Sequence, residues 1–534
     1  MPPSSLPEND AGKAHHHSPP QAKPTQRKPG GWKSMPYVLA NFTVFLMTVF
    51  HMDQVSSSNL INIWSGVTNF APLVGAFISD AYVGKFWVIA FSSFATLMGM
   101  VTMTLIVALP KLHPPACSPQ QTILNQCKGP TNKQFGFLVL ALGFITIGSG
   151  GIRPCSLPFG VDQFDPTTDE GRKDINSFFN WYYTTFTIIV LIALTLVVYI
   201  QDSVSWVWGF GIPTMLMVCS IALFFVGTKI YIYVKPEGSV FSSIVQVLVA
   251  AYKKRNLPLP KVSLWNLASI QQIEEVKCLV KVIPILVSGI ICFTAMVQQW
   301  TFTVSQALKM DRHLGPHFQI PAGSINIISM ITIGIWLPIY DRILVPSLRK
   351  ITKIDSGITL LQRIGIGIVF SILSMIVAAS IETMRRNSAN NHHGSDGVAP
   401  LSVMWLAPQL ILLAFAEAFS ILGQLEFYYK EFPDHMKSVA TAMFSVTAGV
   451  ANYVSSSLVT TVHKVTGKDG KPDWLTADIN AARVDYFYYV IAGLGVLNLV
   501  YYLIVASRYQ YKTKIKDIDE DESQFDVELN GIKI

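Results

Sequence analysis

Long apolar runs broken by short polar clusters dominate the chain. A helix needs about 20 predominantly apolar residues to cross the hydrocarbon of a bilayer. Runs of that kind fall near 61–82, 87–110, 135–158, 180–200, 206–229, 279–301, 323–345, 358–381, 402–427, 438–462 and 486–506. A further apolar run, Pro36 to Phe50, precedes them with about 15 residues, which is short for a span. Counting it, the pattern predicts twelve membrane-crossing helices, the first of them truncated, in an all-α membrane protein.

The longest interior polar segment, about 230–278, has six runs before it and six after. Two six-helix halves about a central linker is the layout of the major facilitator fold, which places its solute site between the halves near the bilayer midplane. The expected organisation is a disordered tail over 1–30, an N-terminal half over 31–229, a linker over 230–278, a C-terminal half over 279–506 and a polar tail over 507–534. Within the linker, Ile270-Gln-Gln-Ile-Glu-Glu-Val-Lys277 is amphipathic and leads into the seventh run, as an interfacial helix would.

Composition supports the membrane reading. Hydrophobic residues make up 51% and charged residues 14% of the 534 positions, with a mean hydropathy of +0.40; soluble domains carry about 25% charge. The net charge of +7 does not point to nucleic acid, because the basic residues sit in loops between apolar runs. With the N-terminus inside, the inner loops hold Lys85, Arg172, Lys173, Lys253, Lys254, Arg255 and Lys430, and the outer loops hold fewer, such as Lys309, Arg312, Arg385 and Arg386. That bias predicts a multi-pass protein with both termini cytoplasmic. The six cysteines show no metal-ligand spacing, so no metal or other cofactor is expected, and His15, His16 and His17 read as part of a solvated tail. Cys117 and Cys127 share one short polar loop placed outside, where a disulfide can form.

Few residues carry candidate chemistry. Gly75-Ala-Phe-Ile-Ser-Asp80-Ala-Tyr-Val-Gly84-Lys85 ends the second run, where Asp80 and Lys85 can pair with neighbouring helix ends; the stretch resembles the G-x4-D-x3-G-[RK] element of major facilitators, which implies a cytoplasmic gate formed by Asp80, Gly84 and Lys85. In Gly148-Ser-Gly-Gly151-Ile-Arg153, three glycines allow a helix or a ligand to approach the backbone. Arg153 either faces a cavity or snorkels to the nearby interface. Glu417 lies mid-run in the tenth span, too short to snorkel, so it is either protonated or paired. Arg153 is its natural partner from the opposite half. A bridge between them closes one face of a central cavity, and protonation of Glu417 or anion binding at Arg153 releases it; a purely structural pair is the alternative. Asn180 and Tyr183 open the fifth span. The seventh carries a polar row that includes Gln299 and Thr303, either lining a cavity or joining helices.

Together the segments 148–155 (Gly-Ser-Gly-Gly-Ile-Arg-Pro-Cys), 159–165 (Phe-Gly-Val-Asp-Gln-Phe-Asp), 177–183, 306–312, 355–365 and 423–427 (Gly-Gln-Leu-Glu-Phe) resemble the proton-dependent oligopeptide transporter family. Specifically, they resemble its plant nitrate/peptide branch, and most of all the low-affinity nitrate carriers of vascular tissue. The resemblance covers nearly all of 31–510. It implies proton symport by alternating access, with Arg153 as the basic residue of span four and Glu417 as the acidic residue of span ten. Asn180, Tyr183, Gln299, Thr303 and Gln424 are then candidates for the cavity lining. The expected partners are the bilayer and a small anion, nitrate or a relative of it. Glucosinolates, hormones and small peptides are alternative solutes, and a solute sensor or a transport-incompetent splice product are alternative roles.

Three departures qualify it. Some nitrate carriers of the branch use a His in span seven, and this chain has none between Leu279 and Gln306. The family's E-x-x-E-[RK] element of span one, tied to proton coupling, is missing, since no Glu occurs between Glu8 and Glu170. About 14 residues that the family places after Leu39 are absent, and the linker is shortened around Leu257 to Trp265. Intramembrane clusters of His, Asp or Glu that would suggest an enzyme are not found in the sequence.

Overall fold

The structure is a computed structural model. It describes residues 41–510 except 118–126, most of 166–187, 234–269 and short breaks at 317, 355–356, 392–397, 433–436, 469–472 and 477. The two tails and nearly all of the linker therefore lie outside the described residues.

Among the described residues twelve helical stretches follow one another. The first six are α1 (Phe42–Thr48), α2 (Gln54–Val83), α3 (Lys85–Ala108), α4 (Asn132–Val161), α5 (Ile188–Val204) and α6 (Trp206–Lys229). The second six are α7 (Ile270–Leu308), α8 (Ala322–Thr352), α9 (Leu360–Asn391), α10 (Val403–Tyr428), α11 (Lys437–Thr466) and α12 (Val484–Arg508). Nine of them are long and apolar enough to cross a bilayer. The described part of α1 is far shorter than that, yet it is deep in the N-terminal core: Phe45 and Leu46 are fully buried, and the Phe45 ring packs on Trp206 and Phe210 at 5.2 and 5.5 Å. The amphipathic run at Ile270 continues unbroken into α7. The only described strands are β1 (Met310–Asp311) and β2 (Ala399–Ser402), a short parallel pair.

Two ends of the bundle can be told apart. Cys117 and Cys127 are disulfide-bonded between α3 and α4, with Cα atoms 5.6 Å apart. Lys85 and Asp162 mark the opposite end, paired at 2.6 Å.

The glycines of α4 are packing devices. A Cβ on Gly148 or Gly151 would strike Thr96 Oγ1 or Ser92 Oγ of α3, and one on Gly75 of α2 would strike the carbonyl of Gly150. The sequence left open whether a helix or a ligand approaches here; in this structure Gly148, Gly150 and Gly151 are covered by helices.

The halves meet along α2 and α11. Asn59 Nδ2 donates to Thr460 Oγ1 at 3.1 Å, and Asn59 Oδ1 accepts from Ser456 Oγ at 2.7 Å. Asn62 Nδ2 donates to Ser455 Oγ at 3.0 Å. Deeper in, Phe70 stacks on Tyr453 at 6.1 Å between Gly66 and Gly449, which leave the room for the two rings. Toward the disulfide end, Arg312 reaches Asp202 at 3.4 Å and Ser324 Oγ donates to the Leu194 carbonyl, both across the halves.

Candidate functional site

Glu417 is 7% exposed and opens a π-turn, Glu417–Ile421, that interrupts α10. Such turns carry one extra residue per turn and free backbone carbonyls, and they recur at functional positions. The carbonyl of Ala418, within the turn, accepts from Arg363 Nη2 of α9 at 3.3 Å. Glu417 Oε1 accepts a hydrogen bond from Trp300 Nε1 of α7 at 3.1 Å.

Arg153 is half-buried on α4 and takes part in an interaction of its own. Among the described residues no ion pair joins it to Glu417. In this conformation the acidic side chain is held by an uncharged donor of its own half. The expected bridge across the halves is not formed here.

The polar row of α7 turns inward to its own half. Gln299 Oε1 accepts from Ser374 Oγ of α9 at 2.7 Å, and Thr303 Oγ1 accepts from Gln409 Nε2 of α10 at 3.0 Å. Gln298 Nε2 binds the carbonyl and the hydroxyl of Ser455. Helix-to-helix bonding, the second of the two readings open in the sequence, accounts for these contacts. Gln424 is 4% exposed; its amide donates to Ser420 Oγ at 3.3 Å and lies against Gly289, which has no side chain to displace it. Asn180 and Tyr183 lie outside the described residues.

At the Lys85 end, Asp80 is half-buried in a second π-turn, Ser79–Val83. Gly84 then takes φ 86°, a conformation that side chains rarely adopt. This lets the chain reverse directly into α3, and Lys85 pairs with Asp162 rather than with Asp80. A second charged group sits on α9 and α10, where Arg363 pairs with Glu426 at 2.8 Å, Lys430 pairs with the same carboxylate at 2.7 Å, and the Arg363 guanidinium lies 4.8 Å over the Tyr340 ring.

One charge was misplaced by the sequence reading. Arg385, expected in an outer loop, is completely buried, because α9 runs on to Asn391, well past the apolar run that announced it. It pairs with Glu382, also completely buried. Trp300 was missed as well. Its one sequence signal is an indole interrupting a row of amides and hydroxyls.

The chain can now be placed. A description of the POT family matches residues 86–475. Protein NRT1/ PTR FAMILY 2.13 of Arabidopsis thaliana is 51% identical to this chain, over 96% of this chain and 92% of its own length. This chain belongs to the POT family. Another POT relative, Protein NRT1/ PTR FAMILY 2.12 of the same plant, is 47% identical over 95% and 97% of the two chains.

Solved structures agree on the fold. The POT family transporter PepTSo superposes with a TM-score of 0.68 at 20% identity, covering 90% of this chain and 96% of its own. An auto inhibited POT family peptide transporter gives 0.69 at 19%, covering 91% and 97%. The chain is thus a multi-pass membrane transporter of the major facilitator fold, from a family of transporters rather than of enzymes. The alignment with the 2.13 relative runs over 575 positions against 534 residues, so at least 41 aligned positions have no residue here. The POT relative therefore carries residues that this chain lacks.

Proposed function

We propose that this chain moves nitrate or a related small anion across the plasma membrane, in symport with protons, by alternating access. The observation that carries the reading is the placement of two ionisable groups, Arg153 on α4 and Glu417 on α10, inside apolar helices of opposite halves. Such groups are expensive in lipid and mark solute or proton pathways. The names of the Arabidopsis relatives are consistent with it.

In the proposed cycle the structure represents a state in which the α2–α11 contacts hold the disulfide end together. Arg153 attracts the anion. Glu417 takes up a proton from the side that faces acid, and in the opposite state it returns to Arg153 as a carboxylate once the anion has left. The other cavity groups are Asn180, Tyr183 and Gln424, with Asp80, Gly84 and Lys85 at the cytoplasmic gate, while Gln299 and Thr303 hold α7 to α9 and α10. The coupling ion is the proton, and no other cofactor is needed. The disulfide end would face outward and both termini inward. Lys85, Lys229, Arg342, Arg349, Lys350 and Lys430 all lie toward the Lys85 end, as cytoplasmic retention of basic residues requires.

Uptake of labelled nitrate by cells expressing the chain, in acidic and in neutral medium, tests this. Faster uptake from acidic medium, abolished in Arg153→Ala and made insensitive to pH in Glu417→Gln, is the expected result. Accumulation that ignores both substitutions overturns it.

A transport-incompetent product is the second reading. The absence of any Glu between Glu8 and Glu170, together with the gapped alignment, favours it. Correct surface expression with no uptake of nitrate, small peptides or organic anions would support that outcome.

A further inference from the structure

The polar row of α7 is bonded inward at Gln298, Gln299 and Thr303, but Trp300 departs from it. Its ring is only half-buried and meets Phe293 edge-on at 5.7 Å, while Phe293 meets Phe444 of α11. Its N–H is spent on Glu417. Around that pair, the described titratable or charged groups on the packed helices are engaged elsewhere. Cys292 on α7 bonds Ser420, Tyr340 on α8 faces Phe419, and Arg363 on α9 holds Glu426 and the Ala418 carbonyl.

The chemistry of the donor matters. An indole N–H donates and cannot accept, and it carries no charge. It can therefore bond a carboxylate oxygen and, more weakly, the carbonyl oxygen of a protonated carboxyl. A guanidinium in its place would hold the ionised form and resist protonation. A hydroxyl could turn and become an acceptor.

We propose that Trp300 is a positioning residue for the proton-linked step: it keeps the Glu417 carboxyl in one orientation through both protonation states while Glu417 is disengaged from Arg153. This rests on the reading of Glu417 given above. In this role Trp300 acts through Glu417 and transfers no proton itself. Without its N–H, a buried carboxyl loses an anchor and spreads over rotamers, so that fewer molecules present it correctly for proton exchange.

Three variants test the idea: Trp300→Phe keeps a ring against Phe293 and removes the donor, Trp300→Gln keeps a neutral donor and removes the ring, and Glu417→Gln removes the titrating group. All are compared at equal surface level, with labelled nitrate as the probe, by the ratio of uptake in acidic to that in neutral medium. Trp300→Phe should lose most of the acid stimulation of the parent, and Trp300→Gln should keep at least half of it. Added to Glu417→Gln, neither Trp300 change should alter the ratio further. The positioning role is overturned if Trp300→Phe keeps the parent's ratio, if Trp300→Gln fails as fully as Trp300→Phe, or if Trp300→Phe still changes the ratio in the Glu417→Gln background. If Glu417→Gln alone keeps the parent's acid stimulation, the reading of Glu417 itself is wrong, and that result is obtained with Trp300 intact. Binding of nitrate to the purified protein at the two pH values, read by the shift in its heat-denaturation midpoint, repeats the comparison where a variant reaches the surface poorly.

Discussion

Arg385 Nη2 lies 2.7 Å from Glu382 Oε1, and neither side chain has any exposure to solvent. Arg385 Nε bonds the second oxygen, its remaining N–H groups reach Asn480 and the Ile479 carbonyl, and Gln306 of α7 donates to Glu382 at 2.7 Å. The pair therefore ties α7 and α9 to the segment before α12.

Breaking one side of such a pair leaves a buried, uncompensated charge. Arg385→Met should destabilise the protein by about 3–5 kcal/mol, whereas joint replacement by Glu382→Leu and Arg385→Met should cost much less. Heat denaturation of the purified protein in detergent measures both. Equal losses in the single and the double variant would contradict the argument.

The glycine contacts give a second prediction, based on what each new Cβ meets. At Gly148 and Gly151 the obstacle is a hydroxyl of α3, which can be removed; at Gly75 it is a backbone carbonyl, which cannot. Gly75→Ala and Gly151→Ala should each cost about 1–3 kcal/mol through overpacking. Ser92→Ala should recover much of the loss in Gly151→Ala, and no side-chain change on α4 should recover Gly75→Ala. The yield of monodisperse protein and its unfolding midpoint are the readouts.

Apolar run length announced eleven of the helices, because lipid imposes one requirement on every spanning segment: its backbone must be satisfied internally. Glu417 was legible for a related reason, as a short carboxylate has no route out of the middle of a span. Its partner was not. Hydropathy does not say which way a helix turns, so nothing singled out Trp300, and Gln299 stood open between lining a cavity and joining helices until its bond to Ser374 decided it. Arg385 was misread in the same way. An arginine past the end of an apolar run looks like a loop residue unless the acid three positions earlier is recognised as its buried partner.

The contact between α2 and α11 yields a third prediction. Asn59 and Thr460 join the halves near the disulfide end, where their side chains meet at 3.1 Å. A transporter that alternates must separate them once in each cycle. With Asn59→Cys and Thr460→Cys together, oxidation should stop uptake and reduction should restore it, while each single variant stays active through the same treatment. The parent, treated in parallel, accounts for reduction of the Cys117–Cys127 bond. Unimpaired uptake by the fully cross-linked protein would mean that this end does not open during transport.

The last prediction concerns the first helix. Its apolar run of about 15 residues reaches about 22 Å at 1.5 Å per residue, short of a hydrocarbon core of about 30 Å. Yet Phe42, Phe45 and Leu46 are buried against α6 and its neighbours, so the N-terminal core depends on this helix being in place. A helix that the core requires but that is too short for the bilayer must thin the membrane or draw polar flanking residues into it, and each ångström of mismatch adds a fraction of a kcal/mol. Insertion, between Leu39 and Ala40, of a block like the one the family resemblance implies is missing there should raise the fraction of protein reaching the cell surface. Where that block brings an E-x-x-E-[RK] element, it should also increase the ratio of nitrate uptake in acidic to that in neutral medium. Surface labelling and uptake, measured on the same cells, separate the two effects. A gain at the surface with no change in the uptake ratio would show that the missing segment serves membrane insertion alone, and that whatever proton response the chain has is carried by Glu417.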